Sequence, residues 1–379
     1  MQRTANPCMP VRFRPWPPHN STMIETLTLT DFRNHTISRI ETHGAKNIII
    51  IGENGAGKTA ILEAISMLSG DRGMRGADMT DIARFSGNGG FSVFGTTFDD
   101  DDICVYFNAG DNNRHAKINN ELATLGDLGK IMNIVWISPK EDRLFVDSAA
   151  DRRTFFDHLA SNFDSNHSGR SAKFSKILTE RAFALKNGAD KIWLNALDDQ
   201  LAAVAVAVAA SRVQYAGNVN YFLKHFSVSV DGMLEKKIIN GMPAAAVERE
   251  YRDYLLQNRE LVADKMILDG PHKSDFSMFN NELNLPVKLT STGQQKSALF
   301  NLILAHANLS HTKTKHDCIV LLDEAAAHLD ASARAKIFSA LNEMHVQIWA
   351  TGLDKNSFQD VPNAIIVACQ DGKISNIIY

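Results

Sequence analysis

The chain has 379 residues, of which 44% are hydrophobic and 22% charged, with a formal net charge of -3. One to three ordinary globular domains fit that length and composition. The near-neutral balance excludes a global electrostatic pull toward nucleic acid, so any DNA-binding surface has to be a local basic patch. Cys8, Cys104, Cys318 and Cys369 are scattered without metal-ligand spacing, which fits a reducing cytosol better than an oxidising compartment. No stretch is expected to reach the apolar length that spans a bilayer, and no membrane partner is expected.

Residues 1–22 hold five of the ten prolines and three arginines, but no acidic residue. They also lack the apolar segment of a signal peptide and read as a disordered or spurious leader before Met23. Residues 24–31 alternate as a half-buried strand, with a turn at 32–35 and a second short strand over 37–40. The apolar run 48–51 is a third strand, followed by a glycine-rich turn and a helix over 60–65. Residues 70–76 read as a surface loop. Strands are predicted over 91–98 and 103–107, with a turn at Asn119 and Asn120, which together describe an antiparallel meander. A short strand over 134–137 stops before Pro139.

From about residue 151 helical signals dominate. Helices are predicted over 174–185 and, as one extended or two broken pieces, over 192–226. Alternating alanine and valine at 201–210 also permits a strand, but the helix propensity of alanine and the absence of a turn favour helix. Short strands are expected at 227–230 and 237–239, with helix again over 247–265. A helix over 296–309, a charged histidine-containing loop, a strand over 318–322 and a helix over 332–344 follow. The chain closes with short strands at 346–350, 364–368 and 374–379. Two α/β segments, 23–150 and 265–379, therefore flank a mainly helical insertion at 151–264.

The chemistry concentrates at Gly52, Glu53, Asn54, Gly55, Ala56, Gly57, Lys58 and Thr59, continued by Ala60. Strand, glycine-rich turn and helix in that order form a phosphate-binding loop, because glycines let successive N–H groups turn inward on an anion. Lys58 can reach the outer phosphates, and Thr59 can offer its hydroxyl to Mg²⁺, which points to ATP with Mg²⁺ as metal. Asp323 and Glu324 end the apolar strand 318–322, where the first acid can hold the metal with Thr59 and the second can polarise an attacking water. Ser291, Gly293 and Gln294 stand just before a predicted helix, where a serine cap and nearby N–H groups can hold a γ-phosphate.

In combination these motifs resemble the ABC/SMC group of ATPases, and within it the RecF-like branch. The loop 52–59 resembles Walker A, 321–324 the end of Walker B, 291–294 the ABC signature and 327–330 the D-loop. Residues 29–35, 152–157 and 270–275 add further matches, and the resemblance runs in order over 23–379. It implies a fold with mixed sheets around a P-loop head and an arm-like helical lobe. It also implies an ATPase that dimerises on ATP as a clamp and binds gapped, single-stranded or junction DNA. Its partners would be RecR and RecO proteins, with which it would help load recombinase in the cytoplasm, on the nucleoid. In such a dimer Ser291 and Gly293 of one chain would face the γ-phosphate held by Lys58 of the other, and Asp330 would lie across the interface. Arg33, with Asn34 beside it, would approach the nucleotide of its own chain.

Some positions depart from the pattern. Thr351 occupies the strand end where many ABC ATPases carry a switch histidine; it cannot take up a proton, which implies slow turnover and agrees with the RecF-like branch. Glu324 stands for a frequent aspartate, and Lys273 for a frequent arginine. Residues 138–141 hold the place of a phosphate sensor without a securely placed glutamine. Candidate DNA contacts are Arg72, Arg75, Arg114, Lys117, Arg152, Arg153 and Lys173, with Arg152 and Arg153 able instead to pair with nearby acids. The alternatives are another SMC-like chromosome ATPase, which needs long heptad coils absent here, and an ABC transporter subunit, which needs a membrane partner.

Overall fold

The structure, a computed structural model, describes residues 23–259, 268–314, 317–324, 331–359 and 361–378. It divides into two compact units, one built from residues up to Glu141 and from Ser310 onward, the other from residues 142–309. The leader 1–22, the end of the predicted helix 247–265 and Asp330 lie outside the described residues.

The first unit opens with β1 (Ile24–Phe32), β2 (His35–Glu41), β3 (Asn47–Ile51) and α1 (Lys58–Met67). It continues through α2 (Met79–Ile82), β4 (Phe91–Thr97), β5 (Asp102–Phe107), β6 (His115–Ile118), β7 (Glu121–Ala123), α3 (Leu125–Ile131) and β8 (Asn133–Ile137). The predicted meander is a six-stranded antiparallel sheet in the order β2-β1-β4-β5-β6-β7. A bulge between Ile24 and Thr26 lets Ile24 and Leu27 both face inward. Asn119 and Asn120 take φ of 51° and 66° in the β6–β7 hairpin, the left-handed pair that a tight turn needs and asparagine tolerates.

The second unit contains α4 (Ala149–Phe163), α5 (His167–Lys186), α6 (Lys191–Asn220), β9 (Phe226–Asp231), α7 (Met233–Ile239), α8 (Ala244–Gln257), β10 (Asp275–Asn280), β11 (Leu285–Pro286) and α9 (Thr292–Thr314), whose last turn belongs to the first unit. Gly188, at φ 63°, turns α5 into α6, and Asp190 caps α6 by accepting from Trp193 N–H at 2.8 Å. The 192–226 region is thus one helix ending at Asn220, and the alanine–valine stretch is helical. By length and composition α6 could cross a membrane, which corrects the expectation that no stretch is long and apolar enough. In this unit its Leu194, Leu201, Ala205 and Val208 pack with Phe174, Leu234, Val247 and Leu255 in a common core.

The expected strand at 237–239 is instead the last turn of α7: Leu234 and Ile238, four residues apart, reach the same core, a helical spacing that overrides the β-branched pair. A small antiparallel sheet β11-β10-β9, of which only β9 was anticipated, completes the unit, with Phe156 stacked on Phe276 at 4.1 Å between ring centroids. The signature segment 291–296 and most of α9 pack in this unit, so the boundaries drawn from sequence at 151 and 264 differ from the division at 142 and 309.

The chain returns to the first unit through β12 (Cys318–Leu322), α10 (Ala331–Asn342), β13 (Val346–Gly352), β14 (Ala364–Gln370) and β15 (Lys373–Ile378). These join the earlier strands in a sheet ordered β15-β14-β3-β13-β12-β8, parallel except for β15. Its central strands are near-continuous apolar runs because both faces are covered. Side chains of α1 and of both sheets share a single core. Buried Gln347 links the sheets: its Oε1 accepts from Ile24 N–H at 2.9 Å and from the Trp349 indole at 3.1 Å, and its Nε2 donates to Ile24 O at 2.8 Å. The molecule is an α/β protein with mixed sheets around a phosphate-binding loop and a mainly helical lobe.

In the second unit, fully buried Asp198 accepts from Arg181 Nε at 2.5 Å and from Arg259 Nη2 at 2.6 Å. Removing the carboxylate leaves a buried guanidinium without its counter-charge. We expect Asp198→Ala to cost about 3–5 kcal/mol, read as a lowered urea midpoint; an unchanged midpoint contradicts this account of the core.

Candidate functional site

Residues 52–57 leave the C-terminal end of β3, which lies between β13 and β14 with Ile51 opposite Gly352 and Ala368. Two neighbours grip the loop. On one side the β14–β15 hairpin donates from Gly372 N–H to Ala56 O at 2.9 Å and from the Cys369 thiol to the same oxygen at 3.1 Å. On the other, the β1–β2 turn brings Asn34 Nδ2 to Gly55 O at 3.3 Å and His35 Nε2 to within 3.1 Å of Gly57 O. A side chain at Gly52 would place its Cβ 2.2 Å from Cys369 O, and Gly57 takes φ 110° against His35. Burial holds His35 below its ordinary value, although its contacts to backbone at Gly57 and Gly372 oppose that shift. Burial likewise pushes the Cys369 thiol up to about 11, which keeps it protonated.

Lys58 is buried at the start of α1, its ammonium donating to Gly52 O at 2.6 Å and Glu53 O at 2.9 Å. The loop therefore curls around its own cation. Among the described residues nothing lies within 4 Å of where a side chain at Gly55 would start, which leaves them open where backbone can approach a ligand. A helix N-terminus with N–H groups and a positive charge together form an anion cradle.

Parallel pairing aligns the C-terminal ends of β3, β13 and β12. Asp323, just beyond β12 and buried, anchors its own N–H on Ile137 O at 2.9 Å. Its Oδ1 accepts from the Thr59 hydroxyl and from the Thr351 hydroxyl, each at 2.9 Å. Thr351 Oγ1 in turn accepts from Glu324 N–H at 2.9 Å. Glu324 sits at φ 55°, a left-handed conformation unusual for a glutamate, and the Thr351 bond helps hold it there. Thr59, Asp323, Thr351 and Glu324 form one hydrogen-bonded chain beside the loop.

Arg33, at φ 53°, donates from Nε and Nη2 to both carboxylate oxygens of Glu63, at 2.8 and 2.6 Å, and from Nη1 to Asp81 O at 2.8 Å. Glu63 was missed by sequence reasoning; an acid inside the apolar run of α1 is the signal that could have found it. Glu141 fills the place sought for a phosphate sensor, but its carboxylate accepts from Ser138 N–H and Oγ at 2.8 and 2.5 Å, and burial raises its pKa.

In the second unit Ser291 and Gln294 form a reciprocal cap on α9: Gln294 N–H donates to Ser291 Oγ at 3.4 Å, and Ser291 N–H to Gln294 Oε1 at 3.3 Å. Ser291 and Gly293 are exposed, and among the described residues nothing crowds Gly293. Among the basic candidates, Arg114 is buried with Nη2 donating to Gly70 O at 2.5 Å, and desolvation pulls it down to about 10. Arg152 makes a two-pronged pair with Asp275 at 2.7 and 2.8 Å, and Arg153 donates to Ser274 O at 2.8 Å. Internal contacts thus engage these three. Arg72 and Lys173 are exposed, Arg75 is exposed with Nη1 4.0 Å from the Glu63 carboxylate, and half-buried Lys117 lies over the Tyr106 ring at 5.8 Å.

The family described as RecF/RecN/SMC N terminal domain matches residues 23–376. The DNA replication and repair protein RecF of Mesorhizobium japonicum is 35% identical over 359 residues, covering 90% of this chain and 94% of the relative. RecF of Rhizobium leguminosarum bv. trifolii is 32% identical over 375 residues, with 94% and 99% covered. A solved structure described as the recombination mediator protein RecF-ATP in the RecFOR pathway superposes with TM-score 0.79 at 22% identity, over 94% of this chain and 99% of that one. A second, described as RecF-ATPrS, gives 0.80 at the same identity. Both share the fold.

Thr351→Val keeps the shape of the side chain but removes a donor from buried Asp323 and an acceptor from Glu324 N–H. It should destabilise the protein by about 1–3 kcal/mol in thermal or urea unfolding, while Thr351→Ser stays close to wild type. Equal stability of all three would contradict the hydrogen-bonded chain.

Proposed function

This chain belongs to the RecF family of RecF/RecN/SMC N-terminal-domain proteins, and from that premise we propose that it is a DNA-repair ATPase that acts as an ATP-dependent clamp on gapped or junction DNA. The relatives' name, DNA replication and repair protein, supports the repair role. The observation that carries the ATPase reading is the meeting of the loop 52–57 with Thr59 and Asp323 at one strand edge.

The residues fit a nucleoside triphosphate with Mg²⁺. An open, glycine-lined turn ahead of a helix suits the phosphates, and a hydroxyl beside a carboxylate suits a hard cation. Lys58 would exchange its two carbonyl partners for phosphate oxygens, which stabilises charge where it develops. Thr59 and Asp323 would hold Mg²⁺, which supplies neutralisation of the phosphate charge. Glu324 would orient water, fixed in place through its N–H by Thr351. Thr351 orients but does not carry a proton, consistent with slow hydrolysis. Arg33 would have to leave Glu63 to approach the nucleotide.

Ser291, Gly293 and Gln294 would close the site from a second copy of the chain, with Asp330 at the interface, so ATP would drive homodimerisation. Mediators of the RecO and RecR type are the fitting protein partners, because the neighbours' described pathway is RecFOR; recombinase loading in the cytoplasm would follow. For DNA, Arg72, Arg75, Lys117 and Lys173 are the better candidates, since Arg114, Arg152 and Arg153 are held internally by short hydrogen bonds, whereas Arg75 meets Glu63 only at 4.0 Å.

Fluorescence anisotropy on gapped DNA tests this. Mg·ATP should tighten binding about tenfold or more, and Lys58→Ala should abolish the gain. Glu324→Gln should keep ATP-stimulated binding and lose turnover by about 10²-fold or more. Arg75→Ala should weaken binding and reduce the salt slope by about one. DNA affinity indifferent to nucleotide, or unchanged turnover in Glu324→Gln, would sink the reading.

A further inference from the structure

Strand β12 carries an acid beyond each end: Asp323 belongs to the loop side, and Asp317 lies at the start. Six residues of extended chain separate them by about 20 Å, so Asp317 has different neighbours. Strands β12 and β13 run parallel with Cys318 opposite Val346, which sets Asp317 and His345 side by side just before the two strands. Cys318 N–H donates to His345 O at 3.0 Å. His345 Nδ1 lies 3.6 Å from Asp317 Oδ1. The last turn of α9 lays the His311 ring on His345, centroids 3.9 Å apart and planes within 4°. Ligand atoms from all three residues fall within 4.8 Å of one another. The Asp317 side chain is 10% exposed and that of His345 62%.

We propose that His311, Asp317 and His345 form a binding site for a divalent transition metal of the zinc or cobalt class, at the strand starts opposite the phosphate loop. Two imidazoles and one carboxylate suit borderline ions, with water as fourth ligand. Magnesium and calcium need more oxygen donors than a single carboxylate offers. The same argument keeps this site apart from the Thr59–Asp323 pair, whose oxygen donors suit a hard ion.

The geometry needs one adjustment. Bonds of about 2.0–2.1 Å in a tetrahedron place donors about 3.4 Å apart, closer than the present spread. Stacked parallel rings also cannot both aim an in-plane lone pair at one ion. His345, as the exposed ring, has room to turn, and turning it unstacks the pair and brings its nitrogen toward the other two donors. Buried Asp317 and the helix-borne His311 stay as anchors. A bound ion would tie the last turn of α9 to the starts of β12 and β13.

The test uses the full chain, stripped with chelator and held free of nucleotide and Mg²⁺, and titrated with Co²⁺. Wild type should develop the intense visible absorption of tetrahedral Co²⁺, saturating at one ion per chain and displaced by Zn²⁺. His345→Ala and His311→Ala should each weaken binding about tenfold or more, whereas His225→Ala, at an exposed histidine in the other unit, should leave it unchanged. Because His345 is largely exposed, its alanine variant should match wild type in metal-free melting, and Zn²⁺ should raise the melting temperature of wild type and His225→Ala more than that of His345→Ala. Weak octahedral absorption in wild type, or undiminished cobalt binding in His345→Ala, would overturn the site.

Discussion

The candidate site depends on one geometric constraint: parallel strands place their C-terminal ends side by side. Residues far apart in the chain, Thr59 after β3, Thr351 on β13 and Asp323 after β12, arrive at one edge because those strands are neighbours in register. The hydroxyl-to-carboxylate bonds then follow from chemistry, since a buried carboxylate must collect donors or lose its charge. A crevice outside the carboxyl ends of parallel strands is where open α/β sheets bind ligands. The antiparallel β15 hairpin and the β1–β2 turn finish the arrangement by gripping the loop from both sides.

Those grips explain why the loop composition is so restricted. Gly52 and Gly57 face Cys369 O, Asn34 and His35 at distances that leave no room for a side chain. Gly55 has space and is glycine for its φ of 82°. One loop therefore uses glycine for two separate physical reasons. The Arg33–Glu63 pair adds a third element, a buried acid that holds an arginine beside the loop until something with more negative charge competes for it.

Features written in local sequence were legible. The runs over 48–51 and 318–322 read as buried strands because parallel strands covered on both faces are apolar throughout, and the loop between strand and helix carries its own signature. The Ser291 cap was legible from residue type and position, and Gln294 completes it. Features set by distant partners were not. Strand β10 becomes visible only once β9 supplies its pairing, and residues 237–239 look like strand until Leu234 and the α6 core claim them for a helix. Arg114 looks like surface charge in a sequence, whereas folding brings Gly70 O to it, and the ion pair open to Arg152 gains its partner, Asp275, only from 123 residues away. Glu63, Gln347 and Asp317 were overlooked for the same reason: each matters through a residue remote in the chain.

In the proposed mechanism the loop at 52–59 forms half of a nucleotide site and a second chain supplies the rest. Sedimentation velocity of the Glu324→Gln protein, with and without Mg·ATP, measures this most directly. A monomer is expected without nucleotide and a dimer with it, and a Ser291→Arg substitution in the same background should keep ATP bound while preventing the dimer. A sedimentation coefficient unchanged by ATP, at concentrations where ATP is bound, would contradict it.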